Sequence, residues 1–91
     1  MEKDINNYQP EPESLEKDLI EYLAKSLVDD PSQVKVNIVE GEKSTILELR
    51  VAEGDIGKVI GKHGRIAKAI RVVLQAASAR SRKHTVLEIL D

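Results

Sequence analysis

Val59-Ile60-Gly61-Lys62-His63-Gly64-Arg65-Ile66 sets two glycines around two polar residues, with aliphatic residues on either side. Glycine at both ends of the tetrad lets the backbone take positive φ and approach a ligand with no Cβ in the way. A helix is expected to begin at Gly64 or Arg65. Its first amide groups would lack intrahelical partners and carry the positive end of the helix dipole, so the turn is a candidate phosphate seat.

Spacing separates the glycine motifs that could occupy this stretch. A nucleotide P-loop needs four residues between its glycines and a Ser or Thr after the lysine, to wrap phosphates and hold magnesium. Here three residues separate Gly57 from Gly61, and His63 follows Lys62. The dinucleotide fingerprint would need a glycine where Val59 stands. What remains is Gly-x-x-Gly with a basic residue inside it and another just after.

Charge supports a polyanion partner once it is divided along the chain. The net charge is −2, yet Ile56 to Lys83 holds eight basic residues (Lys58, Lys62, Arg65, Lys68, Arg71, Arg80, Arg82, Lys83) and no acid. The preceding fifty-five residues carry fourteen acids against six bases, and the last eight add two acids. Solvated surfaces usually intersperse both signs, so an acid-free block marks a cationic surface on an acidic body. Cysteine is absent, which excludes a disulfide framework, a thiol nucleophile and thiolate zinc sites. No apolar run is long enough for a membrane span and no signal sequence is evident, so the chain is expected in the cytoplasm. His63 and His84 are the only histidines. Neither has a carboxylate or second histidine at metal-ligand spacing, nor a nucleophile to activate, so no metal, cofactor or catalysis is expected.

Working outward from the tetrad, Asp55 is expected to cap a short helix from Ile56 to Ile60 that Gly61 terminates. After the turn, Ile66, Ile70, Val73, Leu74 and Ala77 mark the inner face of a helix reaching about Ala79, with Arg65, Lys68 and Arg71 on the other side. Val34, Val36 and Ile38 alternate with polar residues as a strand, and Leu47, Leu49 and Val51 do so in a second. The two flank the turn Glu40-Gly41-Glu42-Lys43-Ser44 and should pair antiparallel. Leu87 and Ile89 flank Glu88 in a last strand, which His84 begins. Ser14 is the expected cap of a first helix ending near Val28, with Leu15, Leu19, Leu23 and Leu27 as its stripe and Ile20 and Ala24 widening it. Residues 1–13, with two prolines and little to bury, are expected to be a disordered acidic tail. The chain is one small α+β domain, residues 14–91, in the order α-β-β-α-α-β, with three helices covering one face of a three-stranded sheet.

In that element order, the run from Val59 to Arg71 resembles the core of a KH domain, and the arrangement is similar to its type II, bacterial form. Residues 15–91 resemble the small bacterial single-KH proteins of the KhpA family, most specifically at Glu40-Gly41-Glu42-Lys43 and from Asp55 to Arg71. The resemblance implies single-stranded RNA binding in a groove made by two helices, the Gly61-to-Gly64 loop and a sheet edge, with the loop holding the backbone of about four nucleotides. It also implies a dimer, with itself or with a larger KH-containing protein of the KhpB type, and RNA regulation linked to cell elongation and division.

The residues expected to meet RNA are Gly61 and Gly64 for backbone approach, Lys62, Arg65 and Lys68 at the phosphates and His63 as an exposed loop donor, with Lys58 and Arg71 as flanking charge. Ile56, Val59 and Ile60 are expected in an aliphatic floor, with Ile66 and strand residues near Ile46 and Glu48. The only aromatics are Tyr8 and Tyr22, so base stacking on rings is not available to the sheet. An RNA chaperone or post-transcriptional regulator acting as a dimer is the expected function. The rival is a protein-interaction module in a cell-elongation and division complex, with RNA binding secondary.

Overall fold

The computed structural model describes residues 12–81 and 83–91. Helix α1 (Pro12–Leu27) leads to β1 (Lys35–Glu40) and β2 (Ser44–Arg50), then α2 (Ile56–Ile60), α3 (Arg65–Ala77) and β3 (His84–Ile89). Element kinds and order agree with the sequence reading. The first helix opens at Pro12, two residues before Ser14, and the expected tail up to Glu11 lies outside the described residues.

The strands lie in the order β1-β2-β3. The hairpin aligns Val36 with Leu49 and Ile38 with Leu47 in antiparallel register, and the Gly41 amide donates to the Ser44 carbonyl at 2.8 Å to close its turn. β3 runs parallel to β2, with Leu47 beside Leu87 and Thr45 beside Thr85. A parallel neighbour requires a crossover, and α2 and α3 are that crossover. The tetrad therefore sits at the apex of the connection between two adjacent strands.

All three helices pack on the face carrying Val36, Leu47, Leu49 and Leu87. Ile20, Ala24, Val59, Ile70 and Leu74 complete the core from the helix side. The opposite face, which no helix among the described residues covers, carries Lys35, Asn37 and Val39 on β1, Ile46 and Glu48 on β2, and Val86 and Glu88 on β3.

Both long helices are rotated relative to the stripe read from sequence. On α1 the buried line is Glu16, Ile20 and Ala24, while Leu15 and Leu27 are exposed. On α3 it is Ala67, Ile70 and Leu74, with Ser78 below them. Val73, expected inside, is 42% exposed, and Ala77 is exposed too. The cause on α1 is chemical: the Glu16 carboxylate is 2% exposed because it accepts hydrogen bonds from Ser81 Oγ at 2.8 Å and Thr85 Oγ1 at 2.9 Å. A buried carboxylate with both oxygens engaged turns the helix toward its donors, which hydrophobic spacing does not register.

Candidate nucleic-acid interface

α2 ends where its geometry changes hand. The Gly61 amide donates to the Gly57 carbonyl at 2.8 Å, and Gly61 takes φ 79° and ψ 170°, a combination open in practice only to glycine. An ideal Cβ there would stand 2.6 Å from Ile66 Cγ1 and 2.9 Å from the Ile66 backbone nitrogen. Gly64 is also left-handed, at φ 74° and ψ 14°, but a Cβ there would meet nothing within 4 Å. The two glycines thus do different work. Gly61 lets α2 and the first turn of α3 close on each other, and Gly64 leaves open space at the loop surface.

Between them, Lys62 to Gly64 form a single 3₁₀ turn in which His63 takes φ 58°, a left-handed value at a residue with a side chain. The turn uses two amides that a helix start would otherwise leave free: Gly64 donates to Gly61 and Arg65 to Lys62. The expected seat at the start of α3 is therefore reduced to later amides. Attraction for phosphate falls mainly to side chains. Lys62, His63, Arg65 and Lys68 are exposed, and Lys62, Arg65 and Lys68 join no salt bridge among the described residues. Four cationic or ionisable side chains project from seven consecutive residues with no acid among them.

Lys58 does not belong to this free set. Its ammonium lies 3.3 Å from Asp29 and 3.7 Å from Asp55, and Asp29, by hydrogen bond and then by charge, raises its pKa above the ordinary 10.5. Asp55, expected to cap α2, makes no side-chain capping bond there. It is 4% exposed, and its two oxygens accept the backbone amides of Asp29 at 3.2 Å and Asp30 at 3.0 Å. Burial alone would push this carboxyl up; the Asp30 and Asp29 amides, with Lys58, outweigh it and hold it below the ordinary 3.8. Asp55 and Lys58 thus fasten α2 to the α1–β1 connection and fix the base of the loop.

The aliphatic floor is smaller than expected. Ile56, Ile60 and Ile66 are half-buried and pack against the core while keeping a surface outward. Val59 is fully buried. It faces the core from α2 and cannot touch a ligand in this structure, so its place in the expected RNA-binding set is corrected to core. Ile46 and Glu48 lie on the open sheet face, opposite Leu47 and Leu49, and so face away from the helices.

The sequence reading missed how α3 meets β3. Arg71 donates from a guanidinium nitrogen to the Leu87 carbonyl at 3.3 Å, and Gln75 donates to the Thr85 carbonyl at 3.2 Å. The amides of His84 and Leu90 bond back to the β2 side, so Thr85 and Leu87 present their backbone to the outer edge. Helix spacing alone puts Arg71 and Gln75 one turn apart, but which edge they reach depends on the parallel pairing. A cleft of about 540 Å³ elsewhere, lined in part by Lys17, Lys25, Lys35 and Arg50, takes no residue from α2, the loop or α3.

The family model described as KhpA/KhpB, KH domain matches residues 17–89. The RNA-binding protein KhpA of Borreliella burgdorferi is 58% identical over 76 residues, covering 84% of this chain and 93% of that protein. The protein of the same name from Clostridium acetobutylicum is 60% identical over 74 residues, covering 81% and 99%. Among solved structures, Era in complex with MgGDPNP and nucleotides 1506–1542 of 16S ribosomal RNA aligns with a TM-score of 0.62 at 18% identity, over 99% of this chain and 36% of that one. That last likeness is one of fold, and the chain spans about a third of Era's length. The α-β-β-α-α-β order, the mixed sheet and the glycine-bounded turn inside its crossover are those of a type II KH domain, and the chain belongs to the KhpA/KhpB KH-domain family.

Proposed function

We propose that this chain is a non-catalytic RNA-binding protein that grips the backbone of single-stranded RNA with the Gly61-to-Gly64 loop. The observation carrying this reading is the exposed set Lys62, Arg65 and Lys68, with no acidic partner among the described residues, around a loop whose Gly64 leaves room for close approach. The names of its relatives agree with it. Ile56, Ile60 and Ile66 offer bases an aliphatic floor. Without aromatic stacking, worth ~1–3 kcal/mol per base, affinity for one strand should be modest. The reading is tested with Lys62→Asp combined with His63→Asp. Affinity for a short unstructured RNA should fall to background with an unchanged melting temperature; retained affinity removes the loop from the mechanism.

Modest affinity makes a dimer useful, because a second linked site raises avidity without new contacts. The outward strip of α3, Ala69, Val72, Val73 and Ala76, is apolar and exposed, with Val72 64% exposed. It lies beside the flank carrying Lys68, Arg71 and Gln75 rather than on it. A dimer with a second copy, or with a KhpB-like protein, through this strip would leave Lys62, His63 and Lys68 open, with Arg65 in line with the strip at its loop end. An RNA chaperone or post-transcriptional regulator in the cytoplasm fits both surfaces. The same strip supports the second reading, a subunit of a regulatory complex for cell elongation and division in which protein contact comes first and RNA second.

A further inference from the structure

The cleft away from the loop has a chemistry of its own. Its wall includes Val34, Lys35, Val36 and Asn37, consecutive residues at the start of β1 whose side chains alternate between the two faces of the sheet. Val34 and Val36 bury their side chains in the core, so what this run presents to the cleft is its backbone edge. β1 is an outer strand of the sheet. The Leu90 amide donates to the Leu49 carbonyl at 2.9 Å, so β2 turns its odd-numbered residues toward β3 and its even-numbered ones toward β1. The partners of the latter are Lys35, Asn37 and Val39. Val36 and Ile38 therefore turn their N–H and C=O groups outward, where no backbone partner meets them among the described residues.

Both sides of this edge are cationic. Lys17 and Lys25 stand on α1, and Lys35 and Arg50 stand side by side on the uncovered sheet face. Lys25, Lys35 and Arg50 are exposed and join no salt bridge among the described residues, whereas Lys17 lies 4.0 Å from Glu21. One lysine on an outer strand only discourages pairing. Cations on two separate elements, one on each side, favour a strand that brings carboxylates. We infer that β1 takes an extended acidic peptide as a fourth strand, its main chain on Val36 and Ile38 and its carboxylates on Lys25 to one side and on Lys35 and Arg50 to the other. At ~3.4 Å per residue, the four residues along the cleft offer about 14 Å, a seat for about four peptide residues. Two other occupants fit less well. A second copy adding the same edge would set one cationic cleft against another, because a two-fold contact pairs a patch with itself. A nucleic-acid strand would carry a phosphate at every step past Glu21 and Glu48, which also line the cleft. A peptide can space its carboxylates to avoid them.

The surface shares no residue with the loop, so its test is separate from that of RNA binding. Fluorescence anisotropy is measured with a labelled, end-blocked hexapeptide of alternating glutamate and valine, and with its glutamine-valine counterpart. The glutamate peptide should bind the more tightly. Lys25→Gln combined with Lys35→Gln should weaken it about tenfold, at roughly two- to fivefold per exposed ion pair, and leave pentauridylate binding unchanged. Equal affinity for the two peptides, or no weakening in the variant, overturns the proposal. In two-dimensional amide NMR spectra, the signals of Val36 and Ile38 should move as the glutamate peptide is added, while those from Lys62 to Lys68 stay in place. Movement confined to Lys62 to Lys68 overturns it by placing the peptide on the loop. Movement of Val36 and Ile38 with pentauridylate gives the edge to nucleic acid, and movement with protein concentration alone gives it to a second copy; either result overturns the assignment to a peptide. Melting curves for parent and variant establish that loss of binding is not loss of fold.

Discussion

Replacing each loop glycine by alanine should give two unequal results. Gly64→Ala adds a Cβ in open space at a left-handed residue, so the cost is conformational, ~1–2 kcal/mol, less the ~0.4–1 kcal/mol recovered by restricting the unfolded chain. Gly61→Ala faces two costs. The φ 79°, ψ 170° backbone is strained by ~1–3 kcal/mol for any residue with a Cβ, and contacts of 2.6 and 2.9 Å with Ile66 add overpacking of ~1–3 kcal/mol. The backbone nitrogen of Ile66 cannot yield without moving the first turn of α3. The sum, ~2–6 kcal/mol, is comparable to the whole stability of a domain this small, ~4–12 kcal/mol. At roughly 4–8 °C per kcal/mol, Gly64→Ala should melt within several degrees of the parent, while Gly61→Ala should fall by more than about 10 °C or fail to fold. Thermal unfolding followed by far-ultraviolet circular dichroism measures this, and RNA anisotropy on Gly64→Ala measures binding separately. That variant should stay folded and bind weakly, because its new methyl projects where a backbone would approach. Equal midpoints for the two variants, or the greater loss at Gly64, would refute the division of labour between the glycines.

Three further outcomes follow from particular contacts. The Asp55 pKa is lower folded than unfolded, so its contribution is complete above the ordinary carboxylate value of 3.8 and disappears as pH falls through the lower folded value. Asp55→Asn should accordingly flatten the loss of stability below about pH 4, and parallel curves for parent and variant would contradict the assignment. Val72→Asp should convert a dimer to a monomer by light scattering while leaving far-ultraviolet circular dichroism unchanged, since Val72 is 64% exposed; a persisting dimer mass would move the interface elsewhere. Glu16→Ala should cost ~1–3 kcal/mol by leaving the hydroxyl of Thr85 without its acceptor inside the protein, and an unchanged urea midpoint would show that water replaces it freely.

Period and punctuation in the sequence carried the element order, the antiparallel hairpin and the exposed position of Lys62, His63, Arg65 and Lys68. Alternation in Leu47-Glu48-Leu49 has one solution when a single face is covered, and glycine at 61 marks a helix end wherever it occurs. The rotation of α1 was not legible, because it follows from a carboxylate finding two hydroxyls that stand 65 and 69 residues away. Val59 was assigned to the ligand because it adjoins the glycines in sequence. In a five-residue helix one side must face inward, and Val59 is the residue there. Asp55 misled for a related reason: its position fits a helix cap, but its carboxylate is held more strongly by two amides of another connection. Each of these errors is a case of local pattern yielding to a partner supplied by distant chain.

The parallel pairing of β3 also bears on how the protein comes into being. Leu87 lies beside Leu47, forty residues earlier, and Glu16 waits for Ser81 and Thr85. A chain emerging from the ribosome can form the β1–β2 hairpin early, because its contacts are local. The crossover bearing the loop cannot be locked against the sheet until the final strand has been made. The nascent protein should thus lack an assembled Gly61-to-Gly64 loop until its synthesis has passed β3.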